Sequence, residues 1–303
     1  MPDEACAASP EHRQDGQSAP PNGLVLVSTP IGNLADLTPR ARDTLLEAEL
    51  ILCEDTRHTA RLLAAIGAKV KLQPLHEYNE DAAVPGILAQ LRQGRRIALV
   101  SDAGVPLVSD PGYRLVRAAL AEGLPVGAVP GANAAVTALV LSGLPPLPFL
   151  MLGFPPPRQA ARRAAFGRLR AAERAGLEAT LIWYEAPHRL AETLADMAAA
   201  FGPRKAAVAR ELTKRFEEVR RGTLPDLAEH YGTTAPRGEI TVVVGPPEDA
   251  DPEDLDGRLI AALAGGSVKD AAALVAAATG LPRKLVYARA LALSAAAPAG
   301  EDG

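Results

Sequence analysis

The chain has 303 residues, 48% hydrophobic and 22% charged, a balance that excludes wholesale disorder and a length that predicts two domains with room for a small third. Its formal net charge is −4, from 32 basic and 36 acidic side chains, which as an average argues against a protein that coats nucleic acid. Cys6 and Cys53 are too few for a disulfide framework or a zinc cluster, and no apolar run approaches the roughly 20 residues of a membrane span, so a cytoplasmic protein with no membrane partner is expected.

Residues 1–23 are rich in Pro, Ser, Gln, Asp and Ala and lack the basic and apolar regions of a signal peptide, so they read as a disordered tail. From Leu24 onward, short apolar runs alternate with helix-like stretches of about 10–15 residues. The runs are Leu24–Ser28, Leu50–Cys53, Val70–Leu75, Ile97–Ser101 and Val126–Val129. Such alternation predicts an α/β domain over 24–145 with a largely parallel sheet. Thr38-Pro39 reads as an N-cap and first-turn proline opening Arg40–Glu49, and Asp110-Pro111 repeats the device before Tyr113–Glu122.

Gly143-Leu-Pro-Pro-Leu-Pro148 reads as a linker, because consecutive prolines continue neither a helix nor a central strand. A second α/β domain over 149–247 is expected from the same kind of unit. Its strands fall at Phe149–Gly153, Ala179–Tyr184, Ala206–Arg210 and Glu239–Val244, with helices near Gln159–Arg174, Pro187–Ala200 and Leu224–Tyr231. The Ala-rich Leu259–Ala296 breaks at Gly265-Gly266 and at Gly280-Leu-Pro282, giving three short helices in an appendix over 255–296.

No Walker P-loop, zinc-binding His-Glu-x-x-His, nucleophile elbow or dinucleotide fingerprint is present. The five histidines are scattered, so no metal site is expected. The informative residues follow the strands, where open α/β sheets bind ligands. They are Thr29-Pro-Ile-Gly-Asn33, Ser101-Asp-Ala-Gly-Val-Pro106, Ser109-Asp-Pro-Gly112 and Pro130-Gly-Ala-Asn133. Loops of Pro, Gly and small polar residues offer main-chain N–H and C=O groups at close range. Taken singly, each also reads as an ordinary turn.

Charge is unevenly spread. Residues 157–175 hold Arg158, Arg162, Arg163, Arg168, Arg170 and Arg174 against the single acid Glu173, an electrostatic footprint for phosphate or simply a solvated helix face. The segment from Gly266 to Tyr287 reads as helix-turn-helix, with Arg283, Lys284 and Arg289 on its second helix. It suits RNA docking or a dimerisation cap.

Several stretches together carry a family resemblance. They are Thr29-Pro-Ile-Gly-Asn-Leu34, Glu54-Asp-Thr-Arg-His58, Leu75-His-Glu-Tyr-Asn-Glu80, Ser101-Asp-Ala-Gly-Val-Pro106, Ser109-Asp-Pro-Gly-Tyr113, Pro130-Gly131, Tyr184-Glu-Ala-Pro-His-Arg189, Ala209-Arg-Glu-Leu-Thr-Lys214 and Arg237-Gly-Glu239. In these the chain resembles the tetrapyrrole-methylase superfamily of S-adenosylmethionine (SAM) enzymes, and within it the 16S rRNA (cytidine-2′-O)-methyltransferases. Ala132-Asn133 departs from the Pro followed by Ser or Cys that the family has more often.

The resemblance implies two α/β domains of the tetrapyrrole-methylase type, the class III SAM methyltransferase fold, with a helix-turn-helix-like appendix. It implies SAM in the cleft between the domains, a homodimer, and 16S rRNA of the small ribosomal subunit as partner. It places Pro30, Gly32, Asn33, Ser101, Asp102, Ala103, Gly104, Pro106, Pro130, Gly131, Tyr184 and Glu185 around the cofactor, with Asp102 suited to its cationic end or to capping a turn. Glu54, Asp55, His76 and Glu77, with His58, are the candidates to take a proton from the 2′-hydroxyl. Candidate RNA contacts are Arg57, Arg158, Arg162, Arg163, Arg168, Arg189, Arg210, Lys214, Arg283 and Lys284. Two rival readings fit the same fold: a small-molecule methylase and a non-catalytic RNA-binding protein.

Overall fold

The computed structural model describes residues 22–247 and 252–296. Most of the expected tail, residues 1–21, lies outside the described residues.

The first unit comprises β1 (Gly23–Val27), α1 (Pro39–Glu47), β2 (Leu50–Cys53), α2 (Thr56–Ile66), β3 (Leu72–Pro74), α3 (Glu80–Arg92), β4 (Arg96–Val100), α4 (Tyr113–Ala121), β5 (Val126–Val129) and α5 (Ala134–Ser142). Its sheet has the order β3-β2-β4-β1-β5, and every neighbouring pair is parallel. Alternate side chains of the central strands feed opposite cores. Leu24, Leu50, Leu52, Ile97 and Leu99 pack on one face, while Val25, Val27, Ile51, Cys53, Ala98 and Val100 pack on the other. A strand buried on both faces needs apolar residues at every position, which is why these runs are unbroken. Since the strands are parallel, all their carboxyl ends meet along one edge.

Thr38 caps α1 as expected, accepting from the Ala41 N–H at 3.1 Å. The Asp110-Pro111 expectation is corrected. The residue before α4 is Gly112 at φ 120° and no side chain caps the helix. A Cβ at Gly112 would lie 2.5 Å from Leu99 Cδ2, so the chain turns here through a backbone position that only glycine fits, and Asp110 is released from capping.

The second unit comprises β6 (Phe149–Met151), α6 (Gln159–Arg174), β7 (Thr180–Glu185), a 3₁₀ turn at Pro187–Arg189, α7 (Leu190–Phe201), β8 (Lys205–Arg210), β9 (Glu218–Thr223), α8 (Leu224–Thr233) and β10 (Ile240–Val244). Its sheet, β6-β7-β10-β8-β9, is parallel only between β6 and β7. It is therefore not the same unit as the first. The extra strand β9, Glu-Val-Arg-Arg-Gly-Thr, is a polar edge strand without a fully buried position, so it has no apolar signature.

One face of this sheet carries α6, α7 and α8 over a core that includes Phe166, Trp183, Leu194, Met197, Phe201 and Tyr231. The other face receives α5 from the first unit. Ala135, Ala138 and Leu139 pack with Ile182, Ala209 and Val243, and Ile31 and Leu212 join them. This shared core joins the two sheets and sets the cleft between them.

The remaining helices, α9 (Pro252–Leu263), α10 (Val268–Thr279) and α11 (Arg283–Ala296), close a small core of Leu255, Leu259, Ala272, Val275, Val286 and Ala290. Ser267 caps α10 and Gly280 ends it at φ 75°. Arg289 pairs with Asp256 and ties α11 to α9. No helix among the described residues is long and apolar enough to cross a membrane.

Candidate functional site

The loops after β1 and β4 are locked together at the carboxyl edge of the first sheet. Thr29 and Gly104 exchange backbone hydrogen bonds of 2.9 and 3.1 Å, and the Thr29 hydroxyl donates to the Ser101 carbonyl at 3.1 Å. Ser101 closes its own turn through Ala103. Asp102 Oδ1 accepts from the Asp55 N–H at 3.3 Å, so it braces the loop after β2. Gly131 lies against Ser28, where a Cβ would approach Ser28 Cβ to 2.8 Å. Asn133 starts α5 by accepting from the Val136 N–H at 3.0 Å; the residue that departs from the family pattern is a helix cap.

Across from this edge stand the ends of β7, β8 and β10. Between them is a cleft of about 360 Å³, within the usual range for a small-molecule site. Asp102, Ala103, Gly104, Val105, Val108 and Asp110 line one wall, and Phe154, Tyr184, Glu185, Leu212, Glu239 and Ile240 line the other. Phe154 and Tyr184 pack with ring centroids 5.7 Å apart.

Both walls carry strained backbone. Leu107 (φ 72°) and Ser109 (φ 70°) lie in the loop after β4, and Glu211 (φ 52°) and Thr213 (φ 65°) in the loop after β8. Each left-handed non-glycine residue costs on the order of 1–3 kcal/mol, and such residues cluster at ligand sites. The second loop is held by Lys214 Nζ, 2.8 Å from Glu211 and 3.1 Å from Glu239. A Cβ on Gly32 would overlap the Lys214 side chain, so Gly32 lets the first unit close on the second.

Of the expected cofactor residues, Asp102, Ala103, Gly104, Tyr184 and Glu185 line the cleft itself. Thr29, Ser101 and Gly131 hold the loops behind it. Pro30 and Gly32 flank the lining residue Ile31, Pro106 follows Val105, and Pro130 precedes Gly131. Asn33 caps the short 3₁₀ turn Leu34–Asp36. Sequence reasoning missed Asp110, Phe154, Leu212 and Ile240. Asp110 carried no local signal, since an Asp before Pro at a helix start reads as a cap, and only the turn through Ser109 and Gly112 redirects it.

The proton-acceptor candidates Glu54, Asp55, His76 and Glu77 lie outside the cleft lining. Asp55 caps α2, accepting from the Arg57 N–H at 2.8 Å, and is gripped by the Arg57 guanidinium at 2.9 and 3.1 Å. Those bonds hold its carboxyl well below the usual carboxylate range, which makes it a weak base. His76 Nδ1 is buried without a partner, and Glu54 and Glu77 are exposed.

The basic helix is corrected at one position. Arg162 is fully buried, with Nε 2.7 Å from Asp196 Oδ2 on α7, so it faces the core and no phosphate. Arg163 shares Asp196 at 2.7 Å while remaining 60% exposed, and Arg158 and Arg168 are exposed. Arg189, Arg210 and Lys214 are partly buried in ion pairs with Glu185, Glu218 and Glu211. Arg283 and Lys284 are exposed at the start of α11.

Comparison with known proteins places this architecture. Residues 23–228 match the family model described as Tetrapyrrole (Corrin/Porphyrin) Methylases, and residues 249–294 match the RsmI C-terminal HTH domain. Fold and cleft thus define a methyltransferase of the tetrapyrrole-methylase class. Among solved structures, a uroporphyrin-III C-methyltransferase from Thermus thermophilus aligns with TM-score 0.51 at 26% identity, over 73% of this chain and 94% of its own. A uroporphyrin-III C-methyltransferase from the same organism, complexed with S-adenyl homocysteine, aligns at TM-score 0.52 and 20% identity, over 74% and 97%. Ribosomal RNA small subunit methyltransferase I of Mesorhizobium japonicum is 45% identical over 284 residues, 92% of this chain and 95% of its own. The enzyme of that name from Micromonospora olivasterospora is 47% identical over 270 residues, 87% and 85% of the two chains. The chain belongs to the tetrapyrrole methylase family, in its ribosomal RNA small subunit methyltransferase I branch.

Proposed function

We propose that this enzyme is a SAM-dependent methyltransferase that modifies the ribose 2′-oxygen of a cytidine, at family position 1402, in 16S rRNA of the small ribosomal subunit. The observation that carries this reading is 45% identity to a ribosomal RNA small subunit methyltransferase I across 92% of the chain. A cleft of about 360 Å³ with apolar walls and two carboxylates outside any ion pair of the described residues, Asp102 and Asp110, suits a cationic cofactor. When bound, SAM supplies an electrophilic methyl group on a sulfonium.

The chain's own residues then have four tasks. The locked loops at 29–32, 101–106 and 130–131 hold the cofactor with main-chain groups, and Tyr184 and Glu185 close it from the second unit. Alignment of the ribose hydroxyl supplies much of the rate in a displacement of this kind. A base among Glu54, His58, His76 and Glu77 takes the hydroxyl proton, with Asp55 disfavoured by the Arg57 guanidinium that holds it. The exposed cations Arg57, Arg158, Arg163, Arg168, Arg283 and Lys284 form the phosphate-binding surface. The protein works as a cytoplasmic homodimer, which sedimentation of the pure protein tests.

The decisive experiment incubates purified protein and labelled SAM with small subunits from a strain lacking the modification. Label in 16S rRNA, mapped by mass spectrometry to a cytidine ribose, is the expected result. No transfer to such subunits by a protein that binds SAM overturns the reading.

A further inference from the structure

The cleft is electrically one-sided. Among its lining residues are four acids, Asp102, Asp110, Glu185 and Glu239, and no lysine, arginine or histidine. Two of the acids are neutralised locally. Glu185 lies 3.3 Å from Arg189, and Glu239 lies 3.1 Å from Lys214. No ion pair among the described residues reaches Asp102 or Asp110. Asp102 spends one oxygen on the Asp55 N–H at 3.3 Å. Asp110 lines the cleft on the same wall as Asp102, within reach of the charges of Glu54 and Asp102, with Tyr184 on the opposite wall. Its neighbours on the walls include Val105, Val108, Phe154 and Leu212.

Two carboxylates left without a cation between apolar walls favour a ligand that brings two: Asp102 suits an ammonium, and Asp110, beside Val105, Val108, Phe154 and Leu212, is left for the second cation. SAM carries a sulfonium in addition to its ammonium and carboxylate, for a net charge of +1. S-adenosylhomocysteine, formed when the methyl group leaves, has a neutral thioether and no net charge. From this we infer that Asp110 reads the charge of the cofactor sulfur: it favours SAM over the demethylated product and so helps release the product after each turnover. This rests on the reading of the cleft as the SAM site, not on the identity of the methyl acceptor.

The protonation behaviour of the site agrees. Burial, joined by the charges of Glu54 and Asp102, raises the Asp110 carboxyl to about 6, and the nearby Ser101 hydroxyl offsets only part of this. Asp110 is therefore ionised above that pH and neutral below it. A cation that restores an ordinary carboxylate value binds the ionised form, so SAM affinity should fall about tenfold between pH 7.5 and pH 5. The affinity of S-adenosylhomocysteine should stay level. The ratio of the two cancels titration of groups common to both ligands.

Calorimetric titration of the full chain with SAM, with S-adenosylhomocysteine and with sinefungin, whose ammonium replaces the sulfonium, tests the inference. In the wild type, SAM and sinefungin should lose affinity together as pH falls, and the product should not. In Asp110→Asn the preference for the two cationic ligands should drop by about tenfold at pH 7.5, and its pH dependence should vanish. Wild-type affinity for S-adenosylhomocysteine in the variant certifies an intact cleft. Should Asn at 110 weaken S-adenosylhomocysteine as well, the cationic ligands must weaken about tenfold further and Asp110→Glu, which keeps the charge, must restore the preference for them, or the inference fails. An unchanged SAM-to-product ratio in Asp110→Asn also overturns it. Failure of the wild type to bind any of the three ligands would instead overturn the reading of the cleft as a SAM site.

Discussion

Replacing Arg162 by Ala should damage stability far more than any effect on RNA. Arg162 is 0% exposed and its guanidinium faces Asp196, itself 1% exposed, at 2.6 and 2.7 Å. Removing one partner of such a pair leaves an uncompensated buried charge and costs about 3–5 kcal/mol. Here Arg163 Nε remains 2.7 Å from Asp196 Oδ1, so the loss should sit near the lower bound, about 3 kcal/mol. Burial by itself raises the Asp196 carboxyl, but the bonds from Arg163 and Arg162 outweigh it and hold the group below its ordinary value. Its contribution is therefore present above the ordinary carboxylate range and lost as pH falls through the depressed value. The deficit of Arg162→Ala should accordingly shrink in acid, where Asp196 is protonated in both proteins.

The assay is urea unfolding followed by the fluorescence of Trp183, the only tryptophan in the chain. Trp183 packs edge-on against Phe166 with centroids 5.7 Å apart, in the core that α6 covers. The double replacement Arg162→Met with Asp196→Leu removes both charges and should restore most of the loss, because an apolar pair of similar volume replaces a buried ion pair at little cost. A loss below about 1 kcal/mol in Arg162→Ala, or a double variant as unstable as the single one, would refute the reasoning.

Three other outcomes follow from the site. Arg158→Ala and Arg168→Ala should each weaken binding to small subunits and reduce the salt slope by about 1, with SAM affinity unchanged in calorimetry; equal binding by both variants would remove α6 from the RNA surface. Gly131→Ala puts a Cβ 2.8 Å from Ser28 Cβ, an overpacking expected to cost about 1–3 kcal/mol and to weaken SAM binding, and a neutral denaturation profile would contradict it. Asn133→Ala removes the α5 cap bond to Val136 at about 1 kcal/mol; Asn133→Ser should recover most of that in thermal melts, and failure to do so would show that the side chain matters for something other than capping.

Read by itself, the chain specified the parallel sheet. Strands buried on both faces must be apolar at every position, so β1, β2 and β4 are visible as continuous runs. The Pro and Gly loops after them are equally legible, since a tight turn at a sheet edge demands those residues. Strand β9 is not, because an edge strand needs only backbone pairing with β8, and its Glu-Val-Arg-Arg-Gly-Thr carries no periodicity. Charge was legible only as a sum. Arg162 and Arg168 stand on the same helix, and only the Asp196 carboxylate, 34 residues further along, turns the first into a core residue. The spacing held a partial signal, as Arg162 shares a face with Phe166, four residues on and 1% exposed. Asp110 before Pro111 reads locally as a helix cap, and the left-handed Ser109 and Gly112 at φ 120° turn it into the cleft instead. Periodicity and turn chemistry act over a few residues and are written in the sequence. Whether a charge is solvated, paired or left facing a ligand depends on what the fold brings against it, and that the tertiary structure alone decided.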